Sequence, residues 1–532
     1  MPLRKFRESE IQGRMAFGLQ LVEPALPLEE ILIKGGDARL ALASDRRNSY
    51  GCTPFPRAHV LDFGSSTASN ISETAYACVQ NRQAQLWLDT ARLGASPALD
   101  KAVDHARQKL RNLLGITGAE IVFSPSGTDA QLQVLFLATG LLGRPLTTII
   151  AGADQTGSGT AHTARGHHFS DRTSLGIDVQ KGTAASGLSE HIRTISVPFC
   201  DAAGHLRTAR EMDGAIHAAV ADAVGRGEKV LLQAMDSSKL GWRAPSIACI
   251  DRIAATWPHE VCVVIDACQM RVGRERLQDY LARGYLVLLT GSKFFTGPAF
   301  SGALLIPQSK ASHIDTSCGP AFALCAYSTC HDWPPHWQNL RAALPAQCNH
   351  GQWLRWEAAL HEMEEYFAVP PGFRDEFFRT LAIHIPSTIA ASCGLELVAP
   401  PQGPADTRRE GEMRDPTIFP FVPHHAGEAL PPEHCAGLYR AMGQDLSSRL
   451  SPTAPDDDRR LARQVCQIGQ PVTLAHVPGA ALRICVSARH ASTQWRRSQS
   501  VQDAVQSVLT GVRAVVGKLD WLIANPHLRE GY

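Results

Sequence analysis

Between Glu120 and Ile306 the sequence repeats one rhythm: a short apolar run, a longer helical stretch, then another short apolar run. The apolar runs are Glu120–Phe123, Thr147–Ala151, Thr194–Pro198, Val230–Gln233, Val261–Ile265, Tyr285–Leu289 and Ala303–Ile306. They are rich in Val, Ile and Leu on both faces, so both faces must be covered, which predicts a mostly parallel sheet between helices. Asp129–Leu142, Ala209–Val224 and Ile247–Thr256 carry helical periodicity between them, and Ser96–Leu114 does so ahead of them, with Gly115 as its stop signal. The expected fold class is therefore α/β, a three-layer sandwich around a mostly parallel seven-stranded sheet.

From about Gln347 the rhythm breaks. Gln352–Tyr366 reads as a helix ended by Val369-Pro370-Pro371-Gly372, Pro400–Glu412 and Ser451–Arg460 read as loops, Pro432–Met442 looks helical, and Gln502–Leu519 closes the chain as an amphipathic helix. The expected division is an N-terminal segment over 1–60, irregular apart from a short helix near Leu28–Lys34, a large domain over 61–345, and a smaller α+β domain over 346–532. With 532 residues, 44% of them hydrophobic and 19% charged, the chain can bury a large core.

Charge narrows the partners. Lys+Arg is 52 and Asp+Glu is 51, a balance that speaks against nucleic acid or an anionic membrane as partner. Charges interrupt Met1–Gln20, so no signal-peptide pattern is read there, and no window of about 18 apolar residues suggests a membrane span; the cytoplasm is the expected compartment. The 14 cysteines form no CxxC pair, and the tightest cluster, Cys318, Cys325, Cys330 and His331, fits no common zinc spacing, so no metal is expected.

Three stretches carry chemistry. Ser124-Pro125-Ser126-Gly127-Thr128-Asp129 joins a strand to a helix, and a helix N-terminus with free N–H groups favours an anion, although Ser and Asp are also ordinary helix caps. Asp266-Ala267-Cys268-Gln269 ends an apolar strand in a carboxylate, at the place where ligands collect on open α/β sheets; such a carboxylate can hold a cationic ring nitrogen, or merely cap a helix. Thr290-Gly291-Ser292-Lys293 puts a lysine at another strand end, beside Phe294 and Phe295, in a chain with only ten lysines against 42 arginines. Burial there would lower the amine's pKa toward the neutral form that imine chemistry requires.

In order and spacing these pieces, with Gly297-Pro298 and Gly302-Ala303-Leu304 behind them, resemble the pyridoxal-phosphate (PLP) enzymes of fold type I, most closely the class V aminotransferase and cysteine desulfurase branch. The likeness is clear over about Ser96–Pro307. It implies PLP as cofactor, held at its phosphate by Ser126, Gly127, Thr128, Thr290 and Ser292, at its ring nitrogen by Asp266 and at its ring oxygen by Gln269, with Lys293 as the catalytic imine lysine. It also implies an amino-acid substrate, joined to the cofactor as an external imine, and a homodimer. Arg483, in Ala481-Leu482-Arg483-Ile484-Cys485-Val486-Ser487, resembles the branch's arginine for the substrate α-carboxylate, a task suited to the guanidinium fork. Ser328 and Thr329 fall where the branch has a threonine that reaches the neighbouring subunit's phosphate.

The sequence departs from the branch at three points. Ser292 replaces a histidine. Asp154–Gly159 offers no ring to stack on the cofactor, leaving Gln155 or nearby His162 for that place. Ser237-Ser238-Lys239-Leu240-Gly241 stands where the branch has Asn-Glu-x-Gly, with Ser238 for the Asn. Aminotransferase chemistry is the expected activity. The alternatives are a PLP lyase, including a desulfurase using Cys393 or Cys435, and a non-catalytic PLP-fold protein. A dinucleotide-binding dehydrogenase is disfavoured because no G-x-G-x-x-G turn follows a first strand. Asp62-Phe63-Gly64, His361-Glu362 and Gly157-Ser158-Gly159 lack the partners or spacing of the kinase, zincin and hydrolase motifs they resemble.

Overall fold

The structure is a computed structural model that describes residues 22–403 and 411–529. Met1–Gln20 and part of the expected loop Pro400–Glu412 lie outside the described residues.

Seven strands form the central sheet: β1 (Ala119–Ser124), β2 (Leu146–Ala151), β3 (Ile192–Val197), β4 (Lys229–Met235), β5 (Val261–Asp266), β6 (Leu286–Thr290) and β7 (Gly302–Pro307). Their spatial order is β1-β7-β6-β5-β4-β2-β3. All neighbours run parallel except β7, which is antiparallel to both β6 and β1. Every expected strand is present within two residues at either end. β2 and β7 are buried at every position, as strands covered on both faces must be.

The helices form where the sequence supplies their ends. Ser126 caps Gly127–Leu142, Ser246 caps Ile247–Thr256, and Thr208 with Glu211 makes a capping box on Ala209–Gly225. Gly115 ends Ala95–Leu114 in the left-handed conformation (φ 62°) that favours glycine. Two long helices were not read from the sequence. Glu73–Leu93 buries only Ala75, Val79, Leu86 and Thr90, too thin a stripe to show as periodicity. Pro371–Ala390 starts inside the presumed breaker, because a proline at the first helical position gives up an N–H that would be unbonded anyway.

A second, five-stranded sheet draws all its strands from the C-terminal part: Leu395–Leu397, Ile418–His425, Glu428–Ala429, Gly469–Thr473 and Ala480–Cys485. Val60–Asp62 pairs in parallel with Val465–Gln467, tying the start of the chain to this region. The N-terminal segment is pinned by Arg355. Its buried guanidinium donates to Leu32 O at 2.9 Å, Lys34 O at 2.6 Å, Gly35 O at 2.8 Å and Phe300 O at 2.8 Å. Among the described residues no helix is long and apolar enough to cross a membrane.

Candidate active site

The carboxyl ends of β4, β5 and β6 and the turn after β1 open onto one cavity of about 390 Å³. All eight expected cofactor residues line it: Ser126, Gly127, Thr128, Asp266, Gln269, Thr290, Ser292 and Lys293. Arg483 closes it from the second sheet, together with Gln470, Pro471 and Val472. Five residues of the wall come from segments with no site motif: Arg39, Ser49 and Tyr50 from the N-terminal segment, and Ser66 and Thr67 from the loop after Val60–Asp62. These segments are far apart in sequence and carry no motif; only the tertiary fold gathers them.

Lys293 Nζ donates to the Thr67 carbonyl and lies 5.9 Å from the centre of the Tyr50 ring. Burial, aided by the positive charges of Arg483, Lys239 and Arg39, pushes its pKa down to about 8. Thr67 links this amine to Arg483: its hydroxyl oxygen accepts from Arg483 Nη2 at 3.0 Å and from Gln470 N–H at 3.0 Å. Arg483 is buried, donates to Gln470 O at 2.6 Å, and keeps its Nε unpartnered.

Asp266 is the one carboxylate in the described wall. Its Oδ1 accepts from Cys268 N–H at 3.0 Å. Burial raises its pKa, Asp236 adds to the rise, and Lys293 opposes it. Cys268, also in the wall, is held as a neutral thiol by burial and by Asp266.

Hydrogen bonds sort the expected phosphate ligands into free and committed groups. The Ser126 hydroxyl donates to Asp129 Oδ2 at 2.5 Å and accepts from the Thr128 and Asp129 N–H groups, each at 3.2 Å, so Ser126 acts as the helix cap. The Thr290 hydroxyl donates to Cys268 O at 2.7 Å. That leaves the Gly127 N–H and the hydroxyls of Thr128 and Ser292 without partners among the described residues. The site requires glycine at 127: a Cβ there would sit 2.7 Å from Cys268 Sγ. Gln269 gives one N–H to Ser66 O at 3.1 Å and its oxygen to Arg271 Nη1 at 2.9 Å, which leaves a single N–H for a ligand. The cradle at Gly127, the free donors on one side and Asp266 on the other fit a phosphorylated pyridine with a protonated ring nitrogen.

Between the two candidates for the stacking place, the structure puts Gln155 in the wall and leaves His162 out of it. Gln155 Oε1 accepts from the Ser238 hydroxyl at 2.5 Å. The rings in the wall belong to Tyr50 and Phe300. Ser328 and Thr329 are buried within the chain, and the Ser328 hydroxyl donates to Asp332 Oδ2 at 2.9 Å. Cys393 is exposed and Cys435 is buried against Leu430 O and Ala480 O; neither lines the cavity. His331 is held by Asp100 at 2.8 Å, and no group of three or more His, Cys, Asp or Glu among the described residues is placed to hold a metal.

No family model and no curated protein matches the chain. Solved structures do. Mouse CSAD in apo form is similar at 17% identity and a TM-score of 0.44, covering 85% of this chain and 83% of that one. Oryza sativa TDC with PLP and tryptamine is similar at 14% identity and 0.46, covering 86% and 83%. A NifS-like protein from Rickettsia africae is similar at 12% identity and 0.47, covering 88% and 100%.

Proposed function

We propose that this chain is a PLP-dependent enzyme acting on an amino acid, with transamination as its reaction. One observation carries the reading: Lys293, with its lowered pKa, and Asp266 share a single cavity with the open helix N-terminus at Gly127.

In this reading the Gly127 N–H and the Thr128 and Ser292 hydroxyls bind the phosphate, where the helix N-terminus adds favourable potential. Arg39 supports that side: it is paired with Asp37 at 2.7 Å, and it feels the charge of Asp129 in the first turn of the helix. Asp266 keeps the ring nitrogen protonated by charge and hydrogen bond. PLP, when bound, supplies the electron sink that weakens a bond at the substrate Cα. Lys293 is the point of covalent attachment, and its amine, at about 8, can hold a proton taken from Cα and return it near neutral pH. Arg483 orients the substrate by its α-carboxylate. Elimination or replacement would use the same core residues. A desulfurase also needs a thiol that reaches the substrate, and the position of Cys393 and Cys435 outside the cavity favours transamination over that alternative.

The test is absorbance. Purified protein mixed with PLP should gain a band near the edge of the visible range, and Lys293→Ala should lack it. Wild-type protein that neither carries nor takes up PLP refutes the proposal.

A further inference from the structure

The charges in the cavity wall do not cancel. Arg39, Lys239, Lys293 and Arg483 face one carboxylate, Asp266. Arg39 is neutralised by Asp37 through two short contacts, 2.7 Å and 2.9 Å. With PLP in place as proposed above, Lys293 is consumed by the attachment, Asp266 is matched by the ring nitrogen, and the phosphate lies at the helix N-terminus on the Arg39 side. Of the wall's cations, Lys239 and Arg483 then remain without a carboxylate partner among the described residues.

They are neighbours. Arg483 Nη1 donates to the Lys239 carbonyl at 3.4 Å. Lys239 sits at the apex of a tight turn after β4, closed by Ser238 N–H to Trp242 O at 2.7 Å and Gly241 N–H to Ser238 O at 3.0 Å. The Ser238 hydroxyl is fully used: it accepts from the Leu240 and Trp242 N–H groups, each at 3.1 Å, and donates to Gln155. Of these two residues, the one with a free polar group at the cavity is therefore Lys239 and not Ser238. Among the described residues no hydrogen bond or ion pair engages its ammonium, although burial and the nearby Arg483 charge both penalise it. An unpaired cation held half-buried in a pocket wall is costly unless a ligand supplies the opposite charge.

We infer that Lys239 and Arg483 together select a dianionic substrate: Arg483 takes the α-carboxylate and Lys239 a second acidic group on the side chain. The substrate class is then an acidic amino acid. This rests on the PLP reading of the site and adds its specificity.

The test measures binding without reaction. PLP-loaded protein is titrated calorimetrically with succinate and with butyrate, which share four carbons and differ in the second carboxylate. Succinate should bind at least about tenfold more tightly, the worth of one charge-assisted hydrogen bond in a partly buried site. Lys239→Met should erase most of that ratio, and Lys239→Arg, which keeps the charge, should retain part of it. The wild-type ratio decides the matter even if Lys239→Met fails to fold. Equal binding of the two acids by wild-type protein, or a ratio unmoved in folded Lys239→Met, overturns the inference. Loss of PLP from Lys239→Met also overturns it, because Lys239 would then be holding the cofactor. Failure of wild-type protein to load PLP is read separately, by absorbance, and refutes the underlying proposal as well.

Discussion

The lowered pKa of Lys293 has a kinetic consequence that can be worked through. Only the neutral amine attacks an aldehyde. At pH 7 a lysine titrating at about 8, instead of its ordinary 10.5, is neutral in about one molecule in ten. An ordinary lysine is neutral in about one in 3,000, so the pocket raises the reactive fraction about 300-fold. The second-order rate of PLP capture by the protein should therefore climb about tenfold from pH 6 to pH 7 and change by less than about a fifth from pH 9 to pH 10. An ordinary lysine would gain about eightfold over that last interval. Stopped-flow absorbance measures the rate, and dividing by the rate for methoxyamine, an amine that stays neutral across this pH range, in the same buffers removes the titration of the aldehyde itself. Arg483→Met, which removes one of the positive neighbours that lower the pKa, should move the midpoint upward. A corrected profile still rising steeply between pH 9 and pH 10 would refute the claim that burial and neighbouring cations prepare this amine.

Gly127→Ala places a methyl group 2.7 Å from Cys268 Sγ and should cost about 1–3 kcal/mol in thermal or denaturant unfolding, with weaker PLP binding; Cys268→Ala added to it should restore part of both. Asp266→Asn keeps the acceptor for Cys268 N–H but loses the charge, so PLP should still be captured while turnover falls by about a hundredfold or more, as steady-state kinetics with any accepted amino acid will show. Arg355→Leu strands four buried carbonyls and should destabilise the chain by about 3 kcal/mol, with limited proteolysis appearing first around Leu32–Gly36; unchanged protease resistance would show that the N-terminal segment is held by something else.

The sheet was legible because its strands are buried on both faces and so read as unbroken apolar runs; Val261–Ile265 and Ala303–Ile306 needed no further signal. Glu73–Leu93 was not, because a helix that buries four scattered positions looks polar in sequence. The residues named for the site do meet in one cavity, since each sits at a strand end where local pattern and ligand geometry coincide. What spacing could not reveal was which hydroxyls stay free. Ser126 and Thr290 match the motif, yet their protons are committed to Asp129 and Cys268. Nor could it bring in Arg39, Tyr50 or Thr67, which reach the cavity through long-range packing around Arg355 and the Val60–Asp62 pairing.

Two of the chain's ten lysines, Lys239 and Lys293, lie in this cavity, and both titrate near 8. Reduction of the PLP-loaded protein with borohydride, followed by proteolysis and mass spectrometry, identifies the one that carries the cofactor. The added pyridoxyl mass should fall on the peptide containing Lys293 alone. Its appearance on Lys239, or on no peptide at all, would contradict the assignment.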